Sequence, residues 1–169
     1  RSLEELSAVI AIARPGALEF ADMYSSYIRT GTTQVVHDFF SDILSYTGGI
    51  PLYQEQLMKM IVKIGFSLDE AEQLRRRVGK KKIELMPEWQ EKISKKVSDN
   101  NLDPAISDIL WSVAEDSANY SFNKSHSIAY ATLAAWTTYL KFNYPQDFFL
   151  SLLKMTKFEP SPQEEINNV

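Results

Sequence analysis

At 169 residues, 44% hydrophobic and 24% charged, with no cysteine, the chain has material for one core or two small ones and excludes both a disulfide framework and a thiolate metal site. No apolar run approaches the roughly 18 residues a membrane span needs and no basic-then-apolar leader opens the sequence, so the expectation is a cytoplasmic chain with no membrane partner. A net charge of −4 and a pI near 5.3 argue against a surface that binds nucleic acid all over, although Arg75, Arg76, Arg77, Lys80, Lys81 and Lys82 gather six cations within eight residues.

The first predicted helix opens on a capping box, Ser2 with Glu5, and carries Leu3, Leu6, Val9, Ile10 and Ala13 at helical spacing until Arg14-Pro15-Gly16 ends it. A second helix is predicted from Leu18 to Ile28, closed by Gly31. The β-branched stretch Thr32 to Val36 has no partner strand anywhere in the chain. Asp38 is placed to cap a short helix, Phe39 to Tyr46, with His37 as a loop or pre-cap residue. Pro51 then suits the first turn of a helix from Leu52 to Ile64, with Gly65 just past its end.

Ser67 and Glu70 form a second capping box, opening a helix that runs to Gly79. Ile83 to Val97 keeps one apolar stripe within a charged helix whose first turn must hold Pro87. Asp103-Pro104 opens the next helix, Ala105 to Ala118. An irregular stretch, Tyr120 to His126, then leads into the most apolar helix, Ser127 to about Asn143, and Tyr144-Pro145 starts a last one, Gln146 to Met155. The tail after it, 156–169, is expected to be loose. The sum is an all-α, compact domain of about nine helices with no sheet.

Two places carry residues suited to anions. Ser125 is placed as the cap of the apolar helix, with Lys124 before it and His126 at its first position. No acid nearby in sequence neutralises that turn, where free N–H groups and the helix dipole favour negative charge. A P-loop is excluded, because the glycines it needs are Ala118 and Asn123 here. The bland alternative is a capped helix with a surface lysine. At the cationic run, successive positions differ by about 100° around a helix, so at least one of Arg75, Arg76 and Arg77 must face packed protein or a ligand; the alternative is a solvated face that complements the dipole. Tyr53, Gln54, Glu55 and Gln56 suggest a hydrogen-bonded polar layer rather than a catalytic acid, since no histidine or second carboxylate lies nearby in sequence. Asp-x-Asp, the usual start of a two-metal site, is absent.

The motifs Arg14-Pro15-Gly16, Gly49-Ile-Pro-Leu-Tyr-Gln-Glu-Gln56, Gly65-Phe-Ser-Leu68, Leu74-Arg75-Arg76, Gly79-Lys-Lys-Lys82, Phe122-Asn-Lys-Ser-His126 and Ala129-Tyr-Ala131 resemble, in order and spacing, the fingers of the bacterial C-family replicative DNA polymerase, the polymerase III alpha subunit. The resemblance covers Leu3 to about Leu153. Ala17 departs from the second proline of the usual Arg-Pro-Gly-Pro, Arg77-Val78 departs from small-then-Met, and Thr32 to Val36 lacks the usual His-Pro.

The resemblance implies a fingers domain over 1–155, part of a longer DNA-directed DNA polymerase of bacterial replication, with 156–169 leading to the next domain. It implies that Arg75 and Arg76 face the triphosphate of the incoming deoxynucleotide, with Lys80 and Lys82 neutralising charge. Asn123, Lys124 and His126 would close the pocket, Lys124 toward a phosphate and His126 toward the sugar, with Tyr53, Gln54, Glu55 and Ser125 as support. No cofactor is expected in this piece. Magnesium belongs to absent palm residues of the parent, and so do the catalytic and metal-binding carboxylates, so the piece alone is expected to be inactive. The implied partners are the deoxynucleoside triphosphate, primer–template DNA, the palm and clamp-binding domains of the same chain and other replisome subunits. The residues themselves also admit a non-catalytic helical module that binds nucleic acid or protein through its basic turn.

Overall fold

A computed structural model describes residues 2–79 and 86–168. Among them stand ten α-helices: α1 (Leu3–Ile12), α2 (Ala21–Thr30), α3 (Ser41–Leu44), α4 (Gln54–Lys63), α5 (Leu68–Gly79), α6 (Met86–Asp99), α7 (Ala105–Tyr120), α8 (Lys124–Asn143), α9 (Pro145–Thr156) and α10 (Pro162–Asn168). Short 3-10 turns precede α2 and flank α3. No strand occurs among the described residues, and the one bridge pairs Tyr53 with Phe122. The all-α expectation stands.

The chain divides into two compact units, Arg1–Ile128 and Ala129–Val169. In the first, α4 to α7 build the larger core. Leu57, Met60 and Ile61 of α4, with Ile64 just past its end, meet Ala71, Leu74 and Val78 of α5, Trp89, Ile93 and Val97 of α6, and Ile106, Leu110 and Ala114 of α7. Each set recurs every three or four residues, which is why these segments are helices with one wet face. Burying each large side chain contributes roughly 1.5–3 kcal/mol. Gly65 ends α4 at φ 105°, where an L side chain would be strained and its Cβ would meet Asn100 Nδ2 at 2.8 Å. That lets α5 follow at once, on the Ser67–Glu70 capping box.

The smaller core joins Ala8, Ala11 and Ile12 of α1 to Tyr24 of α2 and to the extended segment Ile50, Leu52, Tyr53. Here the face of α1 is not the one expected. Leu3 and Val9 are exposed, and Ser7, Ala8, Ala11 and Ile12 are buried instead. Small side chains let α1 approach the extended segment closely, and Ser7 pays for its burial with hydrogen bonds to Tyr53 and Ser127.

Several boundaries also differ from expectation. α4 starts at Gln54 rather than Leu52, because Leu52 accepts from the Phe122 N–H (3.0 Å) and Gln54 donates to the Phe122 carbonyl (2.9 Å), which holds the chain extended up to Tyr53. Asp38 lies inside a 3-10 turn, and His37 caps it by accepting from the Phe39 N–H at 3.1 Å. α8 starts at Lys124, three residues before Ser127.

The second unit comprises the later turns of α8 with α9 and α10. Lys141 Nζ stands 5.4 Å from the centre of the Phe149 ring, and the rings of Tyr139 and Tyr144 lie 6.3 Å apart. Large apolar side chains remain exposed in it, among them Trp136, Phe142 and Phe158. The tail expected to be loose carries α10, which has proline at its first position, and the Glu164 N–H reaches the Ser161 carbonyl. None of the helices among the described residues is long and apolar enough to cross a membrane.

Candidate functional site

The first turn of α4 is where the two anion-suited places come together. Gln54 and Glu55 are adjacent there, and each receives one of them. Arg75 of α5 donates from Nη1 to Gln54 Oε1 at 3.0 Å. The Lys124 backbone N–H, first in α8, donates to both oxygens of the Glu55 carboxylate, at 3.1 and 3.0 Å.

The α8 end is capped by Asn123 rather than Ser125. Asn123 Oδ1 accepts from the His126 N–H at 2.9 Å, the usual reach of a cap to the third helical residue. Ser125 is an exposed residue of the first turn. The turn also has an acid after all, since Glu55 arrives from 69 positions away to meet the positive end of the dipole. Lys124 Nζ pairs with Glu4 of α1 at 3.1 Å and lies 4.7 Å from the centre of the Tyr46 ring. His126 is exposed, its ring 5.6 Å from that of Phe122.

On α5, Arg75 and Arg76 converge on Glu72 while Arg77 turns elsewhere. Arg75 is half-buried and lies along Glu72, with Nε to Oε2 at 2.6 Å and Nη2 to Oε1 at 2.7 Å. Arg76 is exposed, and its Nε reaches the same Glu72 Oε1 at 2.6 Å. Arg77 turns to the core side, 5.6 Å from the centre of the Trp89 ring. Hydrogen bonds from Arg75 and then Arg76 hold the Glu72 carboxyl down to about 2, and the same contact raises Arg75. Lys80 and Lys82 lie outside the described residues.

Beneath the site, Tyr53 is buried with its hydroxyl 3.1 Å from Ser7 Oγ, which lies 2.7 Å from Ser127 Oγ. Burial pushes the Tyr53 phenol up, so it stays a neutral donor or acceptor in this chain of hydroxyls. Gln56 is fully buried and satisfied. Its Oε1 accepts from the Tyr53 N–H at 2.8 Å, and its Nε2 donates to Thr47 Oγ1 at 2.7 Å and to the Ile43 carbonyl at 3.2 Å. The polar layer expected around Tyr53 to Gln56 is therefore present. Arg14 fastens the approach to α8 from the other side, donating to the Ala11 carbonyl at 3.0 Å and the Tyr120 carbonyl at 2.5 Å, with its guanidinium 4.3 Å from the centre of the Phe122 ring. Gly16 lies so close to this turn that a Cβ would meet the Asn119 carbonyl oxygen at 2.8 Å.

Among the described residues, no group of three or more histidines, aspartates or glutamates stands close enough to hold a metal ion. What the arrangement offers is fixed cations, fixed dipoles and their counter-charges on one surface.

The family profile of the bacterial DNA polymerase III alpha subunit finger domain matches residues 1–101. The chain belongs to this family. Among proteins named DNA polymerase III subunit alpha, that of Aquifex aeolicus is 37% identical over 161 residues, 92% of this chain and 14% of the relative. That of Thermus aquaticus is 34% identical over 169 residues, 94% of this chain and 14% of the relative. That of Mycoplasma genitalium is 33% identical over 155 residues, 90% of this chain and 18% of the relative. The chain thus spans 12–18% of the length of the alpha subunits it matches.

The fingers fold explains which site residues a sequence reading misses. Glu72 is one of them, and helical spacing is the signal that finds it, at the i−3 and i−4 positions from Arg75 and Arg76. Glu4 and the capping role of Glu55 have no such signal, because both are contacts between distant elements.

Proposed function

We propose that this fingers chain serves DNA-directed DNA synthesis in bacterial replication by gripping the triphosphate of the incoming deoxynucleotide. The observation that supports this reading is the meeting of Arg75 and the α8 N-terminus on Gln54 and Glu55, which gives two distant cationic segments one shared surface. Arg76 is the described guanidinium with most to offer, because its two Nη groups have no protein partner among the described residues and its side chain is 68% exposed. Arg75 contributes chiefly by docking α5 on α4. Asn123 shapes the turn, and Lys124 and His126 flank it toward phosphate and sugar.

Charge decides how the grip must work. Arg75, Arg76 and Lys124 face Glu72, Glu55 and Glu4, three cations against three carboxylates. These six groups balance one another, and in this reading the excess positive charge a polyphosphate requires is supplied by Lys80 and Lys82, which come soon after α5 in sequence. Cations so placed act by position and electrostatics, holding the β- and γ-phosphates and offsetting charge on the departing pyrophosphate. Magnesium, which the alpha-subunit reading implies, finds no fitting donor set among the described residues. In this reading the palm and clamp-binding domains, primer–template DNA, other replisome subunits and a cytoplasmic setting belong to the parent polymerase.

The test is Arg76→Ala in a complete alpha subunit that carries this fingers sequence, assayed by single-nucleotide incorporation. The reading expects kcat/KM for the nucleotide to fall on the order of 100-fold, as for other preorganised charge stabilisers. Unchanged KM and turnover would refute it.

A further inference from the structure

The carboxylate of Glu72 is the part of this surface that the triphosphate reading leaves unexplained. An acid among cations would ordinarily weaken an anion site, yet here it is bonded to both members of the arginine pair. Glu72 Oε2 and Oε1 accept from the Nε and Nη2 edge of Arg75, and Oε1 accepts again from Arg76 Nε. Adjacent arginines on a helix diverge by about 100° and repel each other. One carboxylate at the i−3 and i−4 positions corrects both, drawing the two guanidinium groups to a common oxygen while it offsets their repulsion.

The geometry of the forks matters as much as the charge. A guanidinium has five N–H donors. Arg76 commits only its Nε among the described residues, so its Nη groups remain for a ligand. Arg75 commits its side edge to Glu72 and one Nη1 donor to Gln54, so its place is fixed from two helices at once. The carboxylate stays ionised across the working range, since its two arginines hold it down to about 2.

We propose that Glu72 is a positioning residue for the triphosphate grip: it holds Arg75 and Arg76 side by side, with the Nη groups of Arg76 presented to phosphate oxygens. This rests on the triphosphate reading above. It makes Glu72 a contributor to nucleotide affinity despite its charge, acting through the arginines and never touching the substrate.

The experiment is a double-mutant cycle in a complete alpha subunit carrying this fingers sequence, with Glu72→Gln, Arg76→Ala and both together. The readouts are KM and kcat for incorporation of the complementary deoxynucleoside triphosphate, and Kd for primer–template DNA. Glutamine keeps the length and helix propensity of glutamate, so α5 is preserved, and the thermal unfolding midpoint checks that it is. Glu72→Gln is expected to raise nucleotide KM on the order of 10-fold, the scale seen when groups that orient a ligand-binding residue are removed. Primer–template Kd is expected to stay unchanged, and the double variant to lose less than the product of the two single losses. A lowered KM in Glu72→Gln would make Glu72 a competing counter-charge and overturn the inference. Unchanged KM in Glu72→Gln alongside a strong Arg76→Ala defect overturns it too, and leaves the triphosphate reading standing. Should Arg76→Ala itself have no effect, that reading falls and this inference falls with it.

Discussion

Removing the Glu55 carboxylate tests the central contact of the site. In Glu55→Ala, the Lys124 N–H loses an ionised acceptor 3.0–3.1 Å away, and the positive end of α8 loses its counter-charge. Because one N–H meets both oxygens, the contact counts as a single charge-assisted hydrogen bond, worth about 1.5–3 kcal/mol, and the dipole adds about 0.3–1. Glu55 is half-buried, so water replaces part of the loss, and a net cost of about 2 kcal/mol follows. Glu55→Gln keeps an acceptor and discards only the charge, so it should cost about half as much. Urea unfolding of the chain reads both: with a slope of about 2 kcal/mol/M, the alanine variant should lower the midpoint by about 1 M. Native-state hydrogen exchange should show lost protection at the Lys124 amide, while Gln54 and Phe122 stay protected by their own bridge. If alanine and glutamine cost the same, charge at the α8 end is irrelevant, and the account of Glu55 as its counter-anion fails.

The capping assignment separates two neighbours that sequence alone confuses: Asn123→Ala should cost about 1 kcal/mol of stability, whereas Ser125→Ala should stay within about 0.5 kcal/mol of the parent, both read as urea midpoints. Glu72 supplies a pH dependence of fixed sign. Its folded value near 2 lies below its ordinary 4.5, so its contribution is complete above about 4.5 and disappears as pH falls through about 2. The stability difference between the parent and Glu72→Gln should therefore be constant from pH 7 to about 5 and shrink as pH falls toward 2, and a difference that does not change across that range would mean that the two arginines do not hold the carboxylate.

Most helices were legible because their signals are local. Ser2 with Glu5 and Ser67 with Glu70 close the capping boxes they spell, and Gly65 stops α4 where its left-handed backbone requires glycine. The misses have other causes. α4 begins late because Leu52 and Gln54 pair with Phe122, and α8 begins early because Asn123, not Ser125, faces its third N–H. α1 turns its small residues inward because an extended segment some forty residues later needs close approach. At α1 and α4 a contact of long sequence separation outweighed a local preference, and at α8 one local cap displaced another two residues away. The same holds at the site. Helical spacing shows that the arginines must diverge, but not that Arg77 goes to Trp89 and Arg75 to Gln54.

The order Gln54-Glu55 then carries an electrostatic logic. Arg75 needs an acceptor on α4 to fix its position, and a neutral amide oxygen supplies one without cancelling more of its charge. The α8 N-terminus has only a partial positive charge and an N–H to satisfy, and there a full carboxylate is the stronger partner. Were position 54 also acidic, the described groups would hold four carboxylates against three cations, and a polyphosphate would meet a net negative surface. With glutamine there the three cations and three carboxylates balance. The two glutamates and the amide thus tie α4, α5 and α8 together without adding net negative charge.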